Sequence, residues 1–388
     1  MAAIDRCYNI ADLREASRRR LPKWIFEFVD RGSEDEWAIE HNREAFQRIK
    51  LRNQVLVDMS DREVGTTLFG KKIGLPVAIA PTGSAGLLWY DGDVALAKAA
   101  AKTGLPFTAA VSSLTSLEKI AEQAGGQLWF QTYLWKDHAL LKNLVTRAHK
   151  AGYEALIVTV DIGIGTNREF NYRNGQVNPF RPSYPTVRDI LLRPRWMTNV
   201  LLQYLMTTGM PRQANLGPEF TNAADPLRTR DAAVTWDDFA RLRDLWPGKL
   251  MIKGVVRASD AERAVARGAD GVIVSNHGGR NMDSAVTSID ALPEIVKAVG
   301  ERTTVILDSG IRRGSDMVKA YALGAKAVLL GRATLWGIAA GGQPGAEHAL
   351  RLLRREYEQT LAYVGCRGAH ELDRDALASD QPLRGHAL

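Results

Sequence analysis

The run Val272-Ile273-Val274-Ser275-Asn276-His277-Gly278-Gly279-Arg280 is an apolar, β-branched stretch that ends in a histidine, two glycines and an arginine. A buried strand thus brings one proton acceptor and one anion clamp to the same end of a scaffold, with a sharp turn between them. A histidine alone is as well explained by packing or capping as by catalysis, so its partners must come from elsewhere in the chain. Two further segments, Asp308-Ser309-Gly310-Ile311-Arg312-Arg313-Gly314 and Gly331-Arg332, combine glycines, whose backbone approaches an anion closely, with arginines that pair with it. Each arginine by itself would suit a rim salt bridge. Two Gly/Arg loops in succession point to a phosphate.

Positioning these groups requires a regular frame, and the chain supplies one. β-Rich runs recur at Leu75–Ala80, Phe107–Val111, Leu128–Thr132, Ala155–Val160, Leu250–Lys253, Gly271–Ser275, Thr303–Asp308 and Ala327–Gly331. Helical patterns separate them at Asp93–Thr103, Ser116–Gln123, Asp137–Lys150, Trp236–Leu245, Ser259–Arg267, Ile289–Val299 and Ser315–Leu323, with glycine stops at Gly104, Gly152, Gly268 and Gly324. Near-continuous apolar strands joined by helices indicate a parallel sheet covered on both faces. Eight such units predict an α/β fold of the (β/α)8 TIM-barrel type, whose usual size of about 250 residues fits the span from Leu75 to Gly342. An open doubly wound sheet is the alternative, but no G-x-G-x-x-G turn follows the first strand. The expected organisation is one domain over 1–388, with a barrel core at 75–365 and an N-terminal helical cap before it. A last helix is expected at Glu347–Val364. About ninety residues separate the fourth and fifth runs, where about thirty are usual, so a long insertion (175–230) follows strand 4.

In such a barrel the residues just after the strands converge on one mouth. That places Ala80, Pro81, Thr82 and Gly83 beside Gln131, Tyr133, Thr159, Asp161 and Arg168, and adds Lys253, Ser275, His277, Arg280, Asp308, Gly310, Arg312, Gly331 and Arg332. Loops seven and eight are where barrels commonly bind phosphate. Asp161 could hold the His277 imidazole in one tautomer and stabilise its cation. Lys253 has three readings: a Schiff-base nucleophile acting on a phosphorylated substrate, a fixed charge beside an anionic cofactor, or half of a buried ion pair.

Composition narrows the class. The 388 residues are 45% hydrophobic and 24% charged, as in a globular protein. Cys7 and Cys366 make neither a disulfide framework nor a metal pattern, and Met1 to Arg20 has no apolar signal core, so a cytoplasmic protein without metal is expected. The net charge of +7 raises nucleic acid as a partner, but the arginines are scattered and no nucleic-acid motif accompanies them.

Ser275-Asn276-His277-Gly278-Gly279-Arg280, the Asp308–Gly314 segment and Leu330-Gly331-Arg332 closely resemble the FMN-dependent L-2-hydroxy acid oxidases and dehydrogenases. So do Leu21-Pro22-Lys23, Gly32-Ser33-Glu34-Asp35, Ile79-Ala80-Pro81-Thr82 and Phe130-Gln131-Thr132-Tyr133, and the pattern is nearest that of the (S)-mandelate dehydrogenases. The resemblance runs from about Tyr8 to Arg367. It implies FMN as cofactor and oxidation of a 2-hydroxy acid to the 2-oxo acid. It makes His277 the base oriented by Asp161, Arg280 and Arg168 the carboxylate clamp, and Tyr133 a hydrogen-bond partner of the hydroxyl. Lys253 would stand beside the flavin pyrimidine ring, which Gln131 and Thr159 contact, with Ala80, Pro81 and Thr82 along the isoalloxazine. Ser275 joins the cofactor set, Asp308 holds the ribityl chain, and Gly310, Arg312, Gly331 and Arg332 take the phosphate.

Departures from the family pattern bear on the substrate. Phe28 stands where many members have a carboxylate-binding tyrosine, and is left out of the catalytic set. Ala110 replaces a flavin-facing serine. Ser112 and Gly165 replace bulkier residues, which enlarges the pocket toward an aromatic, mandelate-like acid. Gly83, where many oxidases have alanine, hints at an acceptor other than oxygen. The insertion carries Ile190-Leu191-Leu192 and Val200-Leu201-Leu202 around Arg193, Pro194 and Arg195, too interrupted for a spanning helix. Apolar bulk with arginines suits contact with one leaflet through 181–212, and a lid or subunit contact is the alternative. The expectation is therefore a dehydrogenase on the inner face of the cell membrane that passes electrons to a quinone or other membrane acceptor, and a homo-oligomer, by resemblance a tetramer. The alternatives are an oxygen-using oxidase that makes hydrogen peroxide, a quinone-linked L-lactate dehydrogenase, a Schiff-base lyase, or a catalytically silent membrane-binding scaffold.

Overall fold

The structure is a computed structural model that describes residues 3–135, 137–163, 165–175, 183–216 and 233–378. Eight parallel strands close a barrel: β1 (Val77–Ile79), β2 (Phe107–Ala110), β3 (Leu128–Tyr133), β4 (Ala155–Thr159), β5 (Lys249–Val255), β6 (Gly271–Val274), β7 (Thr304–Leu307) and β8 (Ala327–Leu330). Each pairs with its neighbour in sequence, and β8 returns to β1 through Val328 opposite Val77. The expected (β/α)8 barrel is therefore present. β1 is shorter than the run Leu75–Ala80 because Pro76 and Pro81 bracket it and neither can donate to the ladder.

Strand residues alternate between two cores, as a two-residue period requires. Ala78, Ile157, Met251, Ile273, Ile306 and Leu329 fill the barrel interior. Val77, Ile79, Leu156, Val158, Val272 and Val274 instead face the surrounding helices. A hairpin not anticipated from the sequence, Thr66–Leu68 with Lys71–Ile73, closes the lower end and adds Leu68 and Ile73 to the interior cluster.

Three helices form the N-terminal cap: α1 (Ile10–Arg20), α2 (Lys23–Asp30) and α3 (Trp37–Arg48). Asn9 caps α1 through a 2.9 Å bond from the Asp12 amide, and Ser17 on its buried face donates to the Trp336 carbonyl at 2.8 Å. The last helix is longer than Glu347–Val364. It starts at Arg332, directly after β8, and runs to Tyr363 with a kink at Gly341 and Gly342. Those two glycines obscure the first half in sequence, since they read as a stop.

The insertion follows β4, as expected, although 176–182 and 217–232 lie outside the described residues, including the first two positions of the 181–212 stretch. A short helix, Glu169–Arg173, precedes it, and it contains Tyr184–Leu191, then Pro194–Trp196, Met197–Leu201 and Leu202–Thr207 in sequence, the middle one of these last three with π-type hydrogen bonds. Trp196, Val200 and Tyr204 are buried against the barrel, and the Trp196 indole donates to the Leu87 carbonyl at 2.7 Å. Among the described residues no helix is long and apolar enough to cross a membrane.

Candidate active site

His277 follows β6 in a left-handed conformation, φ 57°, an uncommon state for a side chain with a Cβ. Its amide donates to Ser275 Oγ at 3.0 Å, which holds the turn. The ring then meets Asp161, beyond the end of β4, with Nδ1 at 3.0 and 3.2 Å from the two carboxylate oxygens. A proton on Nδ1 leaves Nε2 with a lone pair, the arrangement of a general base. Burial lowers the His277 pKa below the ordinary imidazole value, helped by Lys253 and Arg168, and together these outweigh the Asp161 charge. Burial pushes Asp161 up, but His277 and Lys253 pull harder, so it stays below the usual carboxylate range. Asp161 is held from behind as well, since Asn281 Nδ2 donates to its carbonyl at 3.0 Å.

Lys253 on β5 reaches Ser275 Oγ at 2.9 Å and Asp308 Oδ2 at 2.8 Å, and Ser275 donates to the same carboxylate oxygen at 2.6 Å. Burial would lower the lysine pKa, but Asp308 and Asp161 raise it past its free value. An ammonium so held is a fixed cation rather than a free amine, so the geometry disfavours the Schiff-base nucleophile. Asp308 in turn lies below its ordinary value, because Lys253 and Ser275 overcome the cost of burial.

The arginines bind backbone. Arg280 Nη1 donates to the Phe28 carbonyl at 2.7 Å and to Arg31 at 3.0 Å. Arg332 reaches the Val29, Gly278 and Arg31 carbonyls at 3.0, 2.7 and 3.2 Å. The carbonyls left unpaired at the end of α2 thus face the mouth's cations. Arg168 donates to the Arg280 carbonyl at 3.1 and 2.9 Å. Burial and mutual repulsion pull Arg280 well below its free value, and burial with Arg332 brings Arg312 down to about 9.

These groups line one cavity of ≈ 370 Å³ at the barrel mouth. Ala80, Pro81, Thr82, Gly83, Ser112, Tyr133, Gly310 and Gly331 share its wall with Lys253, His277, Asp308 and the four arginines at 168, 280, 312 and 332. Five cations and one carboxylate therefore face it, a charge balance that calls for anions. The long helix after β8 opens at Gly331 with no side-chain cap, which leaves the amides of Arg332 and Ala333 to meet a phosphate. The donor set, the glycines and the helix end fit FMN, with Ala80 to Thr82 and Leu329 offering an apolar face for its ring system.

Not every expected residue reaches that wall. Gln131 Nε2 bonds Thr159 Oγ1 at 3.0 Å, and both lie behind it, as does Ser275. Gly165 is exposed, with nothing within 4 Å of an added Cβ, and is not itself on the wall. Its neighbours Ile162, Thr166 and Arg168 do line the cavity, so its loop borders the mouth. The wall also includes Phe28, Ser309 and Gln213. Phe28 packs under the Arg280 guanidinium at 5.3 Å, and Ser309 Oγ accepts the Gly278 amide at 2.9 Å. Ser309 lies within the Asp308–Gly314 segment itself, while Phe28 stands between the Leu21–Lys23 and Gly32–Asp35 segments.

Comparison with known proteins agrees with this geometry. Residues 17–379 match the FMN-dependent dehydrogenase family. The (S)-mandelate dehydrogenase of Pseudomonas putida is 41% identical, covering 96% of this chain and 94% of that protein. An L-lactate dehydrogenase of Azorhizobium caulinodans is 40% identical (94% and 97% covered), and an L-lactate oxidase of Nostoc sp. is 39% identical (96% and 98%). The crystal structure of the monotopic membrane protein (S)-mandelate dehydrogenase superposes with a TM-score of 0.91 at 41% identity, covering 96% of this chain and 99% of that one. The chain belongs to the FMN-dependent dehydrogenase family, and FMN is its cofactor.

Proposed function

We propose that this protein oxidises an (S)-2-hydroxy acid, aromatic or similarly bulky, to the 2-oxo acid and passes the electrons to a quinone or other membrane acceptor. The observation that carries the reading is His277, held from behind by Asp161 and facing a cavity lined by five cations and the Asp308 carboxylate. In this reading Arg280 and Arg168 hold the substrate carboxylate, and Tyr133 orients its hydroxyl. His277 Nε2 takes the proton the substrate releases, and Asp161 stabilises the imidazolium. FMN, when bound, supplies the two-electron acceptor. Lys253 fixes a positive charge against the ring's pyrimidine end, while Arg312, Arg332 and the Gly331 helix end hold the phosphate. Ser112 leaves open the space a bulkier side chain would fill, which favours an aromatic substituent over a methyl group.

The insertion supports a peripheral membrane location. Leu191, Leu192, Leu205 and Met206 are exposed on its outer side, at 63, 61, 49 and 62%. Exposed side chains of this size along one segment suit burial at a leaflet surface.

Anaerobic flavin bleaching across 2-hydroxy acids of graded size, followed by admission of air, tests the reading. Mandelate should bleach the flavin faster than lactate or glycolate, and air should restore the colour slowly. No bleaching by any acid would refute the reaction. Rapid recovery in air would instead make the protein an oxidase, like its L-lactate oxidase relative.

A further inference from the structure

Asn276, the residue before His277, has every polar group engaged. Its amide donates to Ser288 Oγ at 3.0 Å, and its carbonyl accepts the Gly279 amide at 3.1 Å. Its side chain forms a reciprocal pair with Asn42 on α3, in which each Nδ2 donates to the other's Oδ1 at 2.9 Å. The second Nδ2 hydrogen of Asn276 goes to the Val286 carbonyl at 3.2 Å, which fixes the orientation of both amides, since a carbonyl can only accept. Asn42 and Asn276 are 3 and 5% exposed, and neither lines the FMN cavity. Two buried amides closed on each other specify one geometry.

That geometry serves the next residue. The bond from Gly279 to Asn276 closes a β-turn whose two central residues, His277 and Gly278, have φ of 57 and 67°. Positive φ at both places suits asparagine or glycine, and a histidine keeps it only where the flanking structure over-determines it. The far end of the turn is held by the cap: the Ser33 amide donates to the Gly279 carbonyl at 3.1 Å, and Arg280 is bound to the Phe28 and Arg31 carbonyls. The near end rests on Asn276 and on Ser275 Oγ, which accepts the His277 amide. Helix α3 is itself firmly seated. Arg43 bridges the Gly310 carbonyl and Asp316, and a Cβ on Gly310 would lie 2.9 Å from the Asn42 carbonyl oxygen.

We propose that Asn42 is a positioning residue for the catalytic base. Its pair with Asn276 anchors the first corner of the turn, so that the imidazole meets Asp161 through Nδ1 and turns Nε2 to the cavity. The assignment rests on His277 being the base of the reaction proposed above. It gives the N-terminal cap a part in the chemistry besides covering the barrel, since α3 reaches the base through Asn42 and the phosphate loop through Arg43. An apolar residue at 42 would leave the Asn276 oxygen and one of its hydrogens buried without partners. The turn would then relax toward ordinary backbone angles and break the His277–Asp161 contact.

The test uses the FMN-loaded enzyme, the faster substrate of (S)-mandelate and L-lactate, and the variants Asn42→Leu, Asn276→Leu, the two combined, and His277→Ala. Anaerobic stopped flow gives the limiting rate of flavin reduction and, from its concentration dependence, the substrate dissociation constant. Thermal unfolding gives the stability of each protein. In Asn42→Leu the limiting rate should fall at least about tenfold, the scale of a small displacement of a reacting group, while substrate affinity and FMN content stay within about twofold of the parent's. Each single leucine variant should unfold at a lower temperature. The double variant should regain stability, because an apolar pair leaves neither amide unsatisfied, yet stay slow, because two leucines impose no direction on the turn. A rate that recovers with stability in the double variant, or a parent rate in Asn42→Leu, would overturn the positioning role. So would a loss of substrate or FMN binding that matches the loss of rate. A His277→Ala protein that reduces its flavin as fast as the parent would instead refute the base reading on which the role rests.

Discussion

Gly254 and Asp161 stand back to back: a Cβ on Gly254 would fall 2.5 Å from the Asp161 Cβ and 2.6 Å from its Cγ. Gly254 has φ +103° and lies where the β5–β6 register shifts between Lys253 and Val255. The bulge therefore turns Lys253 into the mouth and clears the space in which Asp161 meets His277.

Gly254→Ala should accordingly displace Asp161 first, with a smaller effect on Lys253 beside it. Flavin content should hold, while the rate of flavin reduction falls by about a hundredfold or more, the scale of losing an aligned base. In an Asp161→Ala background the same change should cost little further, because the two act on one contact. Stopped-flow reduction of the four proteins in the cycle checks this, and additive losses would refute it.

The pH profile has a definite sign. His277 must be neutral to accept a proton, so kcat/KM should rise with pH through its pKa in the free enzyme. Burial places that value below the ordinary imidazole range of about 6.5, so the acid limb should lie below it. Asp161→Asn removes a group that raises the pKa, so the limb should move further down while the maximum rate falls. An upward movement would rule out His277 as the titrating base.

Ser112 controls the space beside Gly83, whose added Cβ would lie 2.4 Å from Ser112 Oγ. Ser112→Trp should lower kcat/KM for mandelate by at least about tenfold relative to lactate, within the range a hydrophobic pocket commands. Competition assays with the two acids measure that ratio directly. A variant that keeps the parent's preference would show that the aromatic ring lies elsewhere.

The apolar patch on the insertion is separable from the chemistry. Leu192→Glu, Leu205→Glu and Met206→Glu together should lower partitioning onto phospholipid vesicles by about a hundredfold, given the area each side chain would bury. Flavin reduction by substrate should persist, since Trp196, Val200 and Tyr204 still dock the segment. Sedimentation with vesicles reads the effect. Excising the segment outright would be a poorer test, because it would uncover the surface those three residues bury.

What the sequence revealed followed from local rules. The strands, their order and the His277, Lys253, Asp308 and Arg332 positions could be read because apolar runs end abruptly and barrels gather strand ends at one mouth. The partners of Arg280 and Arg332 could not, since they are main-chain carbonyls of Phe28, Val29 and Arg31, and any residue type supplies a carbonyl. The Gly254 bulge was hidden for a related reason: a glycine inside a strand run does not say which neighbour needs the room. Gly165 could not be placed from sequence alone, because small size bears on a cavity only where the backbone faces it.

The bonds from Arg280 and Arg332 to the end of α2 also bear on how the chain reaches its final form. They join residues 252 and 303 positions apart, while Ser17 and Trp336 are 319 apart. The first helices synthesised therefore have no final seat until the eighth strand has been made, and closing so long a loop is entropically late. The cations that ready the mouth for anions thus also tie the seat of the N-terminal cap to the far end of the barrel.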